Sequence, residues 1–209
     1  MNRVVAIDGP AAAGKGTLAR RLAGALGLAY LDTGLLYRAV GRLVLENGGV
    51  PDDPAAAEAA ARRLVAADLT RADLRGPEAD RASSLVAKVS GVRSALLAFQ
   101  RQVASQGAVL DGRDIGTVVV PDAPAKLFVT ASLEARARRR WLELQDRGAA
   151  VSLAAVEAAL QARDAQDTAR DTAPLKAAPN AVVLDTTELD ADAAFAAALE
   201  IVKRRLGFT

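Results

Sequence analysis

The sequence predicts an α/β protein with a five-stranded parallel sheet covered by helices on both faces. Short β-branched runs alternate with longer stretches of helical period, glycines punctuate the joins, and no repeat or long linker divides the chain. Val4 to Ile7 is a continuous apolar run ending at Asp8-Gly9-Pro10, the pattern of a buried parallel strand followed by a turn. Leu18, Ala19, Leu22, Ala23 and Leu26 then recur at helical spacing from Lys15 to Leu26, and Gly27 closes that helix. A second short strand, Ala29 to Leu31, leads into Asp32-Thr33-Gly34, where Thr33 is expected to cap a helix running to about Asn47 before Gly48-Gly49. Residues 51–90 are rich in alanine and charge, offer no strand, and read as helical pieces broken near Pro54 and Gly76-Pro77, a peripheral insertion. Beyond them come a helix from Val92 to about Ala104 and strands at Ala108 to Leu110 and Lys126 to Thr130. Helices at Leu133 to Arg147 and Leu153 to about Thr168, a strand at Ala181 to Leu184 and a helix from about Ala191 to Leu206 complete the alternation.

A chain of 209 residues, 51% hydrophobic, can bury a substantial core, and its length suits one domain with a mobile appendage. No segment approaches the roughly 20 apolar residues that cross a bilayer, and the apolar run after Arg3 is too short for a signal peptide, so a cytoplasmic protein with no membrane partner is expected. Cysteine and histidine are both absent, which removes disulfides, thiolate metal sites and the usual bases of proteases and zinc hydrolases. Chemistry run by Lys, Arg, Asp and hydrated magnesium is untouched. Net charge is only +2, but arginines gather in places, notably Arg136 to Arg140, and suit an anionic partner. Aromatic content of 3% argues against stacking platforms for nucleic acid, and no nucleic-acid partner is expected.

The segment Gly9-Pro10-Ala11-Ala12-Ala13-Gly14-Lys15-Gly16-Thr17 places two glycines five apart with a lysine directly after the second, between a predicted strand and a predicted helix. Glycine lets the backbone curl with its N–H groups inward, the helix N-terminus adds partial positive charge, and a lysine ammonium can follow β and γ phosphate oxygens. A plain strand-to-helix turn needs at most one or two glycines and no lysine, so the segment reads as a phosphate loop for a nucleoside triphosphate. Gly16 stands where most such loops carry the magnesium-touching Ser or Thr, leaving Thr17 to supply the hydroxyl; Gly-Lys-Gly-Thr is the form seen in nucleoside monophosphate kinases.

From this point the chain resembles the bacterial cytidylate kinases over nearly its whole length. The runs that carry the resemblance are Ile7-Asp8-Gly9-Pro10 with Gly14-Lys15-Gly16-Thr17, Leu31-Asp32-Thr33-Gly34 with Tyr37-Arg38-Ala39-Val40, Asp111-Gly112-Arg113-Asp114 with Gly116-Thr117-Val118-Val119 and Pro121-Asp122-Ala123-Pro124, and Ala173-Pro174-Leu175. The resemblance implies a P-loop kinase fold with a core (1–47, 91–132 and 173–209), a nucleotide-monophosphate-binding insert (about 48–90) and a lid (about 133–172). It implies transfer of the terminal phosphoryl of ATP to CMP or dCMP, with Mg2+, by a monomer. Thr33, Tyr37 and Arg38 would then lie along the acceptor, Arg38 against its phosphate. Ser84 and Arg93 would contact the cytosine ring, and Arg113 with Asp114 would complete phosphate and base recognition. On the lid side, Arg163 and Arg170 would reach the phosphates and Asp167 a sugar hydroxyl, while Arg136, Arg139 and Arg140 would fall at the lid's other edge, Arg139 on the ATP side. Over residues 51–81 the chain departs from the family, being shorter and more helical than the small antiparallel sheet associated with it.

The residue types make sense apart from the family. Two nucleotides carrying several negative charges come together only against a concentrated cationic wall, and arginine offers planar bidentate donors that suit phosphate. Positions 136, 139 and 140 share one helical face, as do 163, 167 and 170. Each set can face a cleft or form a solvated, salt-bridged surface with Glu134, Glu143, Asp164 and Asp171 nearby. Tyr37 fits either a site or a core aromatic. Asp111 ends an apolar strand, where it suits either a carboxylate holding magnesium through water or a turn residue. Other P-loop kinases, for adenylate, thymidylate or shikimate, fit the loop but not the Asp111-Gly112-Arg113-Asp114 run. A regulatory GTPase would bring an Asn-Lys-x-Asp sequence that is missing here.

Overall fold

In a computed structural model, residues 3–170 and 173–207 of the chain are described. Val5–Asp8 (β1) is buried at every position. The other strands are β2 (Ala29–Asp32), β3 (Ala108–Gly112), β4 (Ala125–Thr130) and β5 (Val182–Asp185). They form one five-stranded sheet in the order β2-β3-β1-β4-β5. β1 pairs in parallel with β3 and with β4, and β4 pairs in parallel with β5. Central strands covered on both faces need apolar residues at successive positions rather than alternate ones, and β1 and β3 have them.

Among the described residues eight α-helices join the strands: α1 (Lys15–Leu26), α2 (Thr33–Glu46), α3 (Pro54–Arg63), α4 (Pro77–Val86), α5 (Ser90–Ser105), α6 (Leu133–Asp146), α7 (Leu153–Thr168) and α8 (Ala191–Leu206). Their starts are written locally. Asp53, Ser132, Ser152 and Asp190 each accept a first-turn amide, and Pro54 occupies the first position of α3, where a missing N–H costs nothing. Gly27 and Gly207 end α1 and α8 in the left-handed conformation. The expected capping role of Thr33 is corrected: Asp32 holds the N-cap position, without a side-chain cap bond, and Thr33 is the buried first residue of α2.

The chain divides into two compact units, Leu31–Val103 on one side and Met1–Tyr30 with Ala104–Thr209 on the other. In the second unit Leu18 and Leu22 of α1, Val109, Leu127 and Val202 of α8 form the main apolar cluster. Ala137, Leu144, Val156 and Leu160 pack α6 against α7 together with Ala11 of the glycine-rich loop. In the first unit Leu36, Val40 and Val44 of α2 pack with α3 and with Val86, Val92 and Leu96. As the composition predicts, residues 51–90 hold no strand; they form α3, α4 and two 3-10 turns, Ala66–Thr70 and Ala72–Leu74. No single helix among the described residues is long and apolar enough to cross a membrane.

Candidate active site

The carboxyl ends of β1 and β3 lie in register, Ile7 beside Asp111 and Asp8 beside Gly112. The glycine-rich loop after β1 and the Arg113-Asp114 turn after β3 therefore start side by side, at the end of a parallel sheet where α/β proteins bind ligands. Gly9 has φ 146°, and a Cβ there would fall 1.9 Å from the Val129 carbonyl oxygen, so no other residue fits. Gly14 (φ 86°) and Ala12 (φ 60°) also take positive φ. For alanine that conformation costs on the order of 1 kcal/mol, and the surroundings hold it. Arg136, buried on α6, donates to the Ala11 carbonyl (3.2 Å) and to the Ala131 carbonyl (3.0 Å), and pairs with Asp164 of α7 at 2.7 Å. In a planar trans peptide a carbonyl and the following N–H point opposite ways. Fixing the Ala11 oxygen on Arg136 thus turns the Ala12 N–H to the other side. Thr186 Oγ1, after β5, shares its one proton between the Thr130 carbonyl at 3.1 Å and the Ala13 carbonyl at 3.3 Å.

Lys15 opens α1 with only 5% of its surface exposed, its Nζ donating to the Pro10 carbonyl at 2.6 Å. Burial pushes its pKa down to about 7, and the charges of Arg113 and Arg163 push the same way; Asp111 and Asp8 oppose them. Cations crowded to this degree call for an anion. Gly16 follows, and a Cβ at that position would lie 3.3 Å from Asp111 Oδ2. The Asp111 carboxylate thus stands on that side of the loop, beside the position where most such loops carry Ser or Thr. Thr17 is exposed on the first turn of α1.

Asp167, on α7, is 1% exposed beneath three guanidinium groups. Arg113 Nε donates to its Oδ2 at 3.0 Å, Arg170 pairs with its Oδ1, and Arg163 Nε stands 4.0 Å from Oδ2. Burial works against its ionised form, yet Arg113, Arg170 and Arg163 together hold its pKa below the usual carboxylate range. For Arg113 burial again opposes the charge, and Asp167 and Asp111 outweigh it. Three guanidiniums thus share the Asp167 carboxylate, with Asp111 and Asp164 as further acidic neighbours of Arg113.

In the other unit Arg38 Nε donates to Asp80 Oδ1 at 3.1 Å, and its Nη1 is 3.9 Å from Asp32 Oδ2. Ser84 Oγ donates to the Asp80 carbonyl at 3.0 Å. The guanidinium of Arg93, a buried residue, lies over the Tyr37 ring at 5.8 Å from its centroid. The fold thus assembles Arg38 with Asp32 and, through Asp80, with Ser84, and it sets Tyr37 against Arg93. Asp80 carried no sequence signal, since its partner Arg38 is 42 residues away.

The shared face of 136, 139 and 140 resolves into three different jobs. Arg136 braces the loop. Arg139 donates to Thr186 Oγ1 (3.0 Å), the Thr186 carbonyl (2.5 Å) and the Leu189 carbonyl (3.3 Å), fastening the turn after β5. Arg140 pairs with Glu143 at 2.8 Å. Asp8 was singled out only as part of a run, but its buried carboxylate accepts the Ile115 and Gly116 amides at 2.7 Å each. The signal that could have found it is the one used for Asp111, a carboxylate ending an apolar strand.

A glycine-rich loop between a central parallel strand and a helix, a buried lysine on it and a guanidinium cluster beside that lysine define a P-loop phosphotransferase of the nucleotide kinase class. The comparisons with known proteins agree. A family model described as cytidylate kinase matches residues 5–204. The cytidylate kinase of Granulibacter bethesdensis is 65% identical over 206 residues, 98% of this chain and 99% of that protein. That of Acidiphilium cryptum is 59% identical, with 97% and 96% covered, and that of Caulobacter vibrioides 52% identical, with 97% and 96% covered. Among solved structures, an uncharacterized protein from Eubacterium ventriosum superimposes with TM-score 0.55 at 14% identity over 99% of each chain, a likeness of fold alone. The chain belongs to the cytidylate kinase family.

Proposed function

We propose that this chain carries out its family's reaction, ATP plus CMP or dCMP giving ADP plus CDP or dCDP, with Lys15 and the Arg113, Arg163 and Arg170 cluster as the charge-neutralising centre. The observation that carries the assignment is the environment of Lys15, a buried ammonium whose pKa falls to about 7 in the company of Arg113 and Arg163. A polyphosphate brought to it supplies the missing negative charge, so binding and full protonation of Lys15 reinforce one another.

Residues 9–17 cradle the donor phosphates, with Arg136 and Thr186 fixing the loop's carbonyls and Arg139 acting on the donor side through the turn it holds. On the acceptor, Arg38 neutralises the phosphate, its guanidinium oriented in advance by Asp80. Thr33 and Tyr37 line the nucleotide, Ser84 and Arg93 read the base edge, and Arg113 and Asp114 contribute to phosphate and base. A site built from buried polar groups rejects the wrong base because it leaves those groups unpaired. The acceptor oxygen is already ionised at neutral pH, so no general base is required. The loose transition state needs in-line positioning and cations at the migrating phosphoryl group, which Lys15, Arg163 and Arg170 supply. Asp167 keeps those guanidiniums together and offers its remaining acceptor capacity to a sugar hydroxyl.

Thr17 and, through water, Asp111 are the residues that would hold Mg2+. No group of three or more acidic side chains suited to a metal occurs among the described residues. A hard cation bound chiefly by phosphate and water, with one or two protein oxygens, fits that donor set. When bound it would neutralise charge on the donor's phosphate oxygens. We read the protein as a cytoplasmic monomer acting on free nucleotides, with neither nucleic acid nor membrane as partner. The test is an initial-rate assay of ADP formation with CMP, dCMP, UMP and AMP at matched concentrations. CMP and dCMP should lead, and AMP or UMP equalling them overturns the substrate assignment.

A further inference from the structure

Asp8 is the last residue of β1, 3% exposed, directly before the phosphate loop. One carboxylate oxygen accepts the Ile115 amide and the other the Gly116 amide, both at 2.7 Å. These two amides begin a π-helical turn, Ile115–Val119, that follows Arg113 and Asp114 immediately. Inside the turn Val118 N and Val119 N both donate to the Asp114 carbonyl, at 2.8 and 3.2 Å. The fit at Gly116 is close. A Cβ there would lie 3.3 Å from Asp8 Oδ2, 3.2 Å from Lys126 Cδ and 3.3 Å from Ala178 Cβ.

An amide N–H pair aimed at the two oxygens of one carboxylate can be served only by a group with two acceptors and no donor. A neutral hydrogen-bonding residue of the same shape satisfies one amide and opposes the other. Burial is the main reason that the Asp8 pKa rises to about 6, and the neighbouring charge of Asp114 adds to it; the two amides and Lys15 oppose the rise. A strand end with no task beyond packing would carry an apolar residue at that depth.

We propose that Asp8 is a positioning residue for acceptor recognition, its carboxylate clamping the Ile115 and Gly116 amides so that Arg113 and Asp114 are held at the orientation that reads the nucleoside monophosphate. Asp8 touches neither substrate; it acts through the turn. On the donor side Asp8 acts only through its charge, which opposes the lowering of the Lys15 pKa; the loop's backbone does not hang on this clamp. Gly9 is seated independently against the Val129 carbonyl, and β1 is tied to β3 and β4 in fixed register. The inference rests on the acceptor roles given above to Arg113 and Asp114.

Asp8→Asn, Gly116→Ala, their combination and Asp114→Asn separate the possibilities, with thermal unfolding run on each. Asp8→Asn is expected to raise KM for CMP about tenfold and to bring the CMP-to-UMP ratio of kcat/KM towards one, because the base-reading groups lose their fixed orientation. KM for ATP should change less than KM for CMP in Asp8→Asn, where the donor loop keeps its backbone supports and loses only the Asp8 charge near Lys15, and should stay within about twofold in Gly116→Ala, which keeps that charge. Gly116→Ala displaces the same turn from the other side and should give the same pattern, and it carries the test should Asp8→Asn not fold. The double variant should be no worse than the poorer single, as expected of two changes to one contact. If Asp114→Asn leaves acceptor KM and base choice at wild-type values, the acceptor reading of the turn fails and the inference with it. If Asp114→Asn weakens both, but Asp8→Asn and Gly116→Ala do not, or damage ATP and CMP alike, the acceptor reading stands and the clamp is overturned.

Discussion

Lys15 concentrates the conflict between stability and function in one side chain. Its ammonium is buried, beside two arginines, and the folded protein holds its pKa near 7 against 10.5 for a free lysine. Below about pH 7 both folded and unfolded chains carry the proton, so the folded state bears the full penalty of a buried charge. Between pH 7 and 10.5 the unfolded chain holds more protons than the folded one, so this group makes stability rise with pH through that window. Lys15→Met, which keeps the length and removes the charge, is expected to lower kcat by about 10²- to 10³-fold, the cost of losing one preorganised donor. The same change should raise the melting temperature at pH 7, with the gain shrinking as pH approaches 10. Calorimetry across that range, set beside ADP-release rates, checks both halves; an active Lys15→Met enzyme sinks the mechanism. The lysine was legible in the sequence because two glycines five residues apart have few other uses. Arg136 was legible only as a cation: its burial and its grip on Ala11, 125 residues away, belong to the tertiary fold.

At the scale of elements, α7 shows what spacing tells and what it withholds. Positions 163, 167 and 170 do share a face, as three- and four-residue intervals require. The partner that completes the cluster, Arg113, lies 54 residues away after β3, and nothing local announces it. Replacing Asp167 by Asn leaves three guanidiniums without their common anion and is expected to cost about 3 kcal/mol, as for other buried pairs stripped of one member. Because the folded pKa of Asp167 is depressed, its contribution is present above the unfolded carboxylate value and is lost as pH falls through the folded one. The variant should therefore lose stability at neutral pH and show a shallower decline in acid; urea titrations at pH 7 and pH 3 read the difference. The helix pair α2 and α4 offers a separate check. A Cβ on Gly41 would meet Ala82 Cβ at 2.8 Å and the Ala82 backbone carbon at 3.0 Å, so Gly41→Ala is expected to destabilise by about 1–3 kcal/mol through overpacking. Had Gly41 served only to loosen the helix, alanine would stabilise instead, and the sign of the change in a denaturant midpoint decides.

Across the whole molecule, the alternation of apolar runs with helical periods was enough to predict a parallel sheet of five strands. The strand order was not legible, since it depends on which face each crossover takes rather than on any single residue. Residues 64–76 were legible as strandless helical pieces, but not as 3-10 turns. They form two short 3-10 turns attached both by apolar contacts, Leu64 and Leu69 against the α2 cluster and Leu74 buried, and by ion pairs, Arg71 bridging Glu46 and Asp73 and Arg42 reaching Asp73 at 2.8 Å. Partly exposed ion pairs are weak and screened by salt, whereas β1 and β3 are held by ladder bonds inside an apolar cluster. Opening free energies should follow that contrast. Amide hydrogen exchange is expected to be slowest in β1, β3 and β4, at the limit set by global unfolding, and fast in residues 64–76. Raising sodium chloride from 0.05 to about 0.5 M should quicken exchange in 64–76 without changing the central strands, because the Debye length falls from about 14 Å to about 4 Å. Protection of 64–76 equal to that of β1, or insensitive to salt, shows that apolar anchors such as Leu69 and Leu74 hold the segment in place of the arginine network.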